Sequence, residues 1–353
     1  MVMMKKAIAA IASFILILVL WGCAGATTAP QVPAGAAPAQ PSETTPEVSN
    51  AEEDERIFLI GMLQILDHPA LDAARNGFIN GLAEEGFVEG ENVQFNHFSA
   101  QGDISNANMM AQRLVDDGSD LILGIATQTS QALAATTDTI PIVITAVTDP
   151  LTAGLVDSFE RPGTNVTGTS DLTPIAQQFE LMQRLLPEAQ VVGLVYNAGE
   201  VNSAIQANNA RALLYELGLT YVSRTVTGTA DVAQAVESII EQIDVLYLVT
   251  CNTMAAAYIT VINIADDFGV PSIAGEEAAV HLGAVITEGV NYYNLGRQTA
   301  VMAAQILRGE SVPQEMPIQW QDNYDLVINI GAAYRHGIAI PEDLLERATI
   351  VEN

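Results

Sequence analysis

Four carboxylates, Asp149, Asp171, Glu200 and Glu276, stand in loops that follow apolar, strand-like runs. A cation is the partner such groups can hold. Around them lie polar stretches that open helices: Ala126-Thr127-Gln128-Thr129-Ser130, Tyr196-Asn197-Ala198-Gly199-Glu200-Val201-Asn202-Ser203, Thr250-Cys251-Asn252-Thr253 and Gly275-Glu276-Glu277. Free N–H groups in the first turn of a helix suit a carboxylate. Two more runs end alike, one in Gln64-Ile65-Leu66-Asp67-His68-Pro69 and one in Thr148-Asp149-Pro150. Taken singly, each loop is an ordinary helix cap, because Ser, Thr, Asn and Asp are preferred there. Repeated at the same end of successive strands, they describe a ring of donors and acceptors around a cleft, where open α/β sheets bind ligands. Carboxylates together with helix N-termini favour a ligand with both an ammonium and a carboxylate, that is, an amino acid.

Other chemistries lack their residues. There is no G-x-G-x-x-G, no P-loop and no G-x-S-x-G elbow. His68, His97, His281 and His336 show no metal-ligand spacing, so no metal and no cofactor is expected. No nucleophile is assembled with a base, and the expectation is a binder, not an enzyme. The only lysines are Lys5 and Lys6, in the leader described below, which excludes Schiff-base chemistry from the rest of the chain. With 42 acidic against 13 basic residues the net charge is −29, which would repel nucleic acid.

The positioning elements follow from the pattern. Residues 1–23 read as a leader, with Lys5 and Lys6 before an apolar run from Ala7 to Leu20 that is short for a spanning helix. Residues 24–55 are rich in Ala, Pro, Thr and Glu, cannot bury a core, and read as a tether. From Arg56 the chain alternates strand and helix, which implies parallel sheets covered by helices on both faces. Its 353 residues favour more than one core. The expected fold is α/β, two doubly wound parallel-sheet lobes joined by a multi-strand hinge. Lobe 1 is assigned residues 56–166 plus about 290–318, and lobe 2 residues 167–289 plus about 319–353.

Five stretches carry a resemblance: LWGC (20–23), IGMLQILDHPALD (60–72), TAVTDPLTAGLV (145–156), PGTNVTGTSD (162–171) and YNAGEVNSAIQ (196–206). The first resembles a bacterial lipobox, in which Cys23 would be lipidated and hold the protein at a membrane. The others closely resemble a family of bacterial ABC-transporter solute-binding lipoproteins. That family has a type I periplasmic-binding-protein fold and binds aromatic amino acids such as tryptophan and tyrosine. The resemblance implies a ligand captured by closure of two lobes and delivered to an ABC transporter permease, on the outer side of the cell membrane. It places Thr127, Gln128, Asp149, Asp171, Asn197, Glu200, Asn202 and Ser203 in the cleft. Gln64, Thr148, Tyr196, Cys251, Asn252 and Glu276 join them from the loops above. One departure stands out: Cys251 occupies a position where the family is expected to carry aspartate. A sensory component signalling to a membrane partner would use the same clamp, but no spanning segment follows the leader in this sequence.

Overall fold

The computed structural model describes residues 56–352; the expected leader, lipobox cysteine and tether fall on residues outside them. The first sheet contains β1 (Phe58–Gln64), β2 (Val93–Ser99), β3 (Leu121–Ile125), β4 (Ile142–Val147) and β5 (Val166–Ser170). They are linked in part by α1 (Pro69–Glu84), α2 (Ile104–Asp116) and α3 (Thr127–Thr136). Strand order is β2-β1-β3-β4-β5, and every pairing is parallel. All residues of β3, β4 and β5 are buried, as in a sheet covered on both faces.

The second sheet begins after α4 (Ile175–Leu185), with β6 (Val191–Asn197), α5 (Val201–Glu216) and β7 (Thr220–Val226). There follow α6 (Val232–Glu237), β8 (Val245–Leu248), α7 (Asn252–Ala255) and α8 (Tyr258–Asp267). Then come β9 (Ser272–Ala274), α9 (Glu277–His281) and β10 (Ile286–Gly289). After α10 (Tyr292–Leu307) the chain adds β11 (Asp325–Asn329), α11 (Ile330–Arg335), α12 (Glu342–Leu345) and β12 (Thr349–Val351). The order is β12-β11-β10-β9-β8-β6-β7, and β11 runs antiparallel to β10. Each sheet has its own apolar core, and the two-lobe α/β expectation holds.

The chain passes between the lobes after β5, after β10 and again before β11. Helix α10 returns to the first lobe and lies against α1 at glycine contact distance. A Cβ on Gly77 would stand 2.0 Å from the Tyr293 carbonyl oxygen, and one on Gly296 would stand 1.9 Å from that of Ala74. Only glycine permits so close an approach, and it fixes the start of α10, where Tyr292 projects. Gln319 pairs with Thr169, its N–H donating to the Gly168 carbonyl at 2.9 Å, so the crossing segments bind each other.

One boundary needs correction. The lobe boundary drawn between residues 166 and 167 falls inside β5, whose residues pair with β4 through Ser170. Between Asn252 and Asp267 the helical run is broken at Ala256–Ala257 into α7 and α8.

Candidate functional site

Strand β6 delivers Glu200 to the N-terminus of the short helix α7. Oε1 accepts from the Thr253 N–H at 2.9 Å and the Thr253 hydroxyl at 2.5 Å. Oε2 accepts from the Asn252 N–H at 3.0 Å and Nδ2 at 2.9 Å, with Ser203 Oγ at 3.3 Å and Asn202 Nδ2 at 3.5 Å. The first N–H groups of a helix lack intrahelical acceptors and carry partial positive charge, so a buried carboxylate is stable here. A carboxylate has about four acceptor sites, and those of Glu200 are filled by the protein itself. The network extends to Asn197, whose Nδ2 donates to Thr253 Oγ1 at 2.9 Å. Cys251 is 1 % exposed, accepts from the Asn197 N–H at 3.4 Å and places its Sγ 3.8 Å from Glu200 Oε1. Burial, then the Glu200 charge, push its thiol up to about 12, so it is neutral.

Three expected site residues are engaged elsewhere. Both oxygens of Asp149 hold Thr152, one accepting its N–H at 2.9 Å and the other its hydroxyl at 2.6 Å. Gln64 donates to Asp72 and accepts from Arg75, both at 2.9 Å, inside the first lobe. The Tyr196 hydroxyl accepts from Arg211 at 2.8 Å, and that guanidinium also covers the ring.

Asp171 and Glu276 behave differently. Asp171 is buried just beyond β5 and accepts from the Thr148 hydroxyl at 2.9 Å and the Tyr292 hydroxyl at 2.8 Å. Burial raises its pKa in spite of both bonds. Glu276, at the N-cap of α9, is 2 % exposed and lies close enough to Asp171 to be repelled by it. The Tyr258 hydroxyl stands near enough to stabilise its charge, yet makes no hydrogen bond of ordinary geometry. Burial above all, with the neighbouring Asp171 and Glu277 charges, pushes Glu276 up to about 7.

Buried polar atoms are nearly always paired, but a set here is not. Thr127 Oγ1 and Gln128 Oε1 from the first lobe lack partners, as do Asn202 Oδ1, Thr250 Oγ1 and both amide atoms of Gln206 from the second. Thr127 and Gln128 open α3 behind Ala126, held at φ 80°, a left-handed conformation that costs a non-glycine residue of order 1 kcal/mol or more. The two lobes meet directly at His68, whose Nε2 lies 3.2 Å from Asn252 Oδ1. Because Asn252 Nδ2 is committed to Glu200, its Oδ1 faces His68, and His68 must be the donor. Burial lowers the His68 pKa, consistent with a neutral ring. Beside this contact is a groove of about 310 Å³, lined by Leu66 and Gln128 of the first lobe and Asn197, Glu200 and Asn252 of the second. Among the described residues no group of His, Cys, Asp and Glu could hold a metal ion.

Sequence reasoning placed the loops of His68 and Thr250 at the ring without singling out either residue, and it assigned no role to Gln206, Tyr258 or Tyr292. Gln206 was accessible in principle, since it follows Asn202 by one helical turn on the same face of α5. The tyrosines carried no local signal, because only the return of α10 and the break before α8 bring them to the acids.

Residues 59–352 match the model of the family described as ABC transporter substrate binding protein. A tyrosine-binding protein of Clostridioides difficile is 38 % identical over 270 residues, 76 % of this chain and 78 % of that protein. The structure of a Streptococcus pneumoniae domain in complex with L-Trp superposes with TM-score 0.80 at 34 % identity, over 84 % of this chain and 99 % of that one. The ligand-free, open structure of a Clostridium difficile substrate-binding protein with adhesive properties gives 0.65 at 38 % identity, over 84 % and 100 %. More distant solute-binding proteins share the type I periplasmic-binding-protein fold. The chain belongs to the ABC transporter substrate-binding protein family.

Proposed function

We propose that this protein is the extracytoplasmic solute-binding component of an ABC importer and captures an aromatic amino acid between its lobes. The observation that carries this reading is the set of buried, unpartnered polar atoms contributed by both lobes: Thr127 and Gln128 on one side, Asn202, Thr250 and Gln206 on the other. Burying such groups without partners costs about 1–3 kcal/mol each, which a ligand with matching donors and acceptors would offset. The α3 N-terminus suits the ligand's carboxylate, and the acids near the hinge suit its ammonium. Closure is a population shift: the ligand first meets one lobe, and contacts with the other stabilise the closed form. The His68–Asn252 bond supports a closed arrangement here. So does the greater likeness to the Trp complex than to the open, ligand-free relative, despite the latter's higher identity.

No bond is made or broken in this function, no cofactor is needed, and the acidic chain has no role with nucleic acid. The Leu20-Trp21-Gly22-Cys23 stretch supports lipid anchoring at Cys23, which would keep the clamp beside its permease. Purified protein titrated with the common amino acids should show a thermal shift and calorimetric binding with L-tryptophan or L-tyrosine. Absence of binding by every amino acid would sink the reading, and turnover of a bound compound would replace it with an enzyme. For the anchor, wild-type protein from cells should carry acyl mass on Cys23 and Cys23→Ala should not.

A further inference from the structure

The four carboxylates expected at the cleft are not equivalent, and counting their donors separates them. Glu200 is filled by Asn252, Thr253 and their neighbours, and Asp149 by Thr152. Asp171 holds two hydroxyls and is buried. Glu276 alone is buried without a hydrogen bond of ordinary geometry, and the groups that face it are Asp171 ahead of β6, Tyr258 on α8, Glu277 on α9 and Tyr292 on α10. None of these is a cation. A second observation points to a missing guest: Tyr258, 1 % exposed, brings close to Glu276 a hydroxyl that makes no hydrogen bond of ordinary geometry. A buried carboxylate beside another must either hold a proton or meet a positive charge.

We propose that Glu276, backed by Asp171 and Tyr258, is the seat of the ligand's ammonium, and that the arriving ammonium displaces a proton from Glu276 to solvent. The proposal rests on the amino-acid reading given above. The ammonium keeps its own protons throughout, so the exchange balances: the empty site holds a carboxylic acid, and the occupied site a carboxylate–ammonium pair with one proton released. The device also selects charge. A ligand without the ammonium leaves the acid protonated and gains nothing from it.

Calorimetry of the full protein with L-tryptophan and L-tyrosine, in buffers of different ionisation enthalpy, reads the released proton directly. With the acid titrating near 7 in the empty site, binding should release about 0.9 proton at pH 6 and about 0.1 at pH 8, and affinity should rise about tenfold between them. Indole-3-propionate, which keeps the aromatic ring and carboxylate but lacks the ammonium, should release none and show no such rise. Glu276→Gln should weaken L-tryptophan binding by about tenfold or more at pH 8 and flatten the pH dependence. Glu277, also pushed up to about 7, should keep the binding and the proton release as Glu277→Gln, with the pH dependence moved slightly toward lower pH because a lesser charge beside Glu276 is gone, and His68, present in every variant, is controlled by the same comparison. L-tryptophan binding with no proton release and equal affinity at pH 6 and 8 would overturn the proposal and leave the transport reading standing. Proton release that survives Glu276→Gln would overturn the assignment to this residue. If no amino acid binds at either pH, the reading and the proposal fall together. The wild-type comparison of tryptophan with indole-3-propionate decides the matter even if the glutamine variant misfolds.

Discussion

Glu200 and Glu276 sit in the same lobe, each just past a strand of the same sheet, and each is almost wholly buried. Around Glu200 the chain has assembled backbone N–H groups, two amides and two hydroxyls; around Glu276 it has placed two other carboxylates and two tyrosines. Burial and position in the fold are therefore poor guides to the role of an acid. The supply of donors is the better one. Where the protein provides them all, the acid builds the wall of the site; where it withholds them, the acid waits for something from outside.

The largest effect should come from dismantling the filled acid. Glu200→Ala leaves the Asn252 and Thr253 N–H groups and their side chains without an acceptor. Each buried orphan costs about 1–3 kcal/mol, so a loss of about 3 kcal/mol or more is expected, roughly 6–12 °C in melting temperature for a lobe of this size. A melting point within about 2 °C of wild type would show that Glu200 does not hold α7 in place.

The unfilled acid should respond in the opposite sense. Its pKa is pushed from 4.5 to about 7, so its contribution to stability is complete below about pH 4.5 and is lost as the pH rises through about 7. At pH 8 the ligand-free protein holds an ionised, unpaired carboxylate, a cost of about 3 kcal/mol. Glu276→Gln cannot ionise, and should make the ligand-free protein more stable than wild type at pH 8 but no more stable near pH 5. Equal loss of stability at both pH values would place Glu276 beside Glu200 as a structural group.

This contrast also marks what could be read from the sequence. The alternation of strand and helix, the two lobes and the polar loops beyond the strands were legible, because period and cap chemistry are local. The donor count was not. Asp149 and Glu276 look alike as loop acids, yet Thr152, only a turn away, occupies the first, while the second depends on Tyr258 and Asp171 from separate elements. Tyr292 reaches Asp171 only because Gly77 and Gly296 let α10 settle onto α1, a contact spanning more than two hundred residues. The break at Ala256–Ala257 that turns Tyr258 inward carries no glycine or proline to announce it.

Smaller effects belong to the closing contact and the turn. His68→Ala removes one neutral bond between the lobes and should weaken binding of L-tryptophan about 3- to 10-fold, mostly through faster dissociation. An unchanged dissociation rate in stopped-flow fluorescence would show that the bond does not hold the closed form. Asp149→Ala should change affinity by less than about threefold, since both oxygens serve Thr152. A tenfold loss would restore Asp149 to the ligand.

The smallest effect is expected at Cys251, the position where the sequence resemblance implies an aspartate. An aspartate there suggests an ammonium partner, and by that logic Cys251→Asp should tighten binding. The local geometry argues otherwise. Sγ lies 3.8 Å from Glu200 Oε1 and takes the Asn197 N–H, so a carboxylate would stand against a carboxylate whose donors are already committed. Repulsion between buried like charges raises the pKa of one of them, and the variant should lose about 1–2 kcal/mol of stability without gaining affinity. The thiol itself should be silent. It is 1 % exposed and pushed up to about 12, so little thiolate forms at pH 8. Iodoacetamide should leave Cys251 of the native protein unlabelled with or without L-tryptophan, and should label it after denaturation. Labelling of the ligand-free protein that tryptophan suppresses would mean that opening of the lobes uncovers Cys251, which would then line the cleft and not the wall behind it.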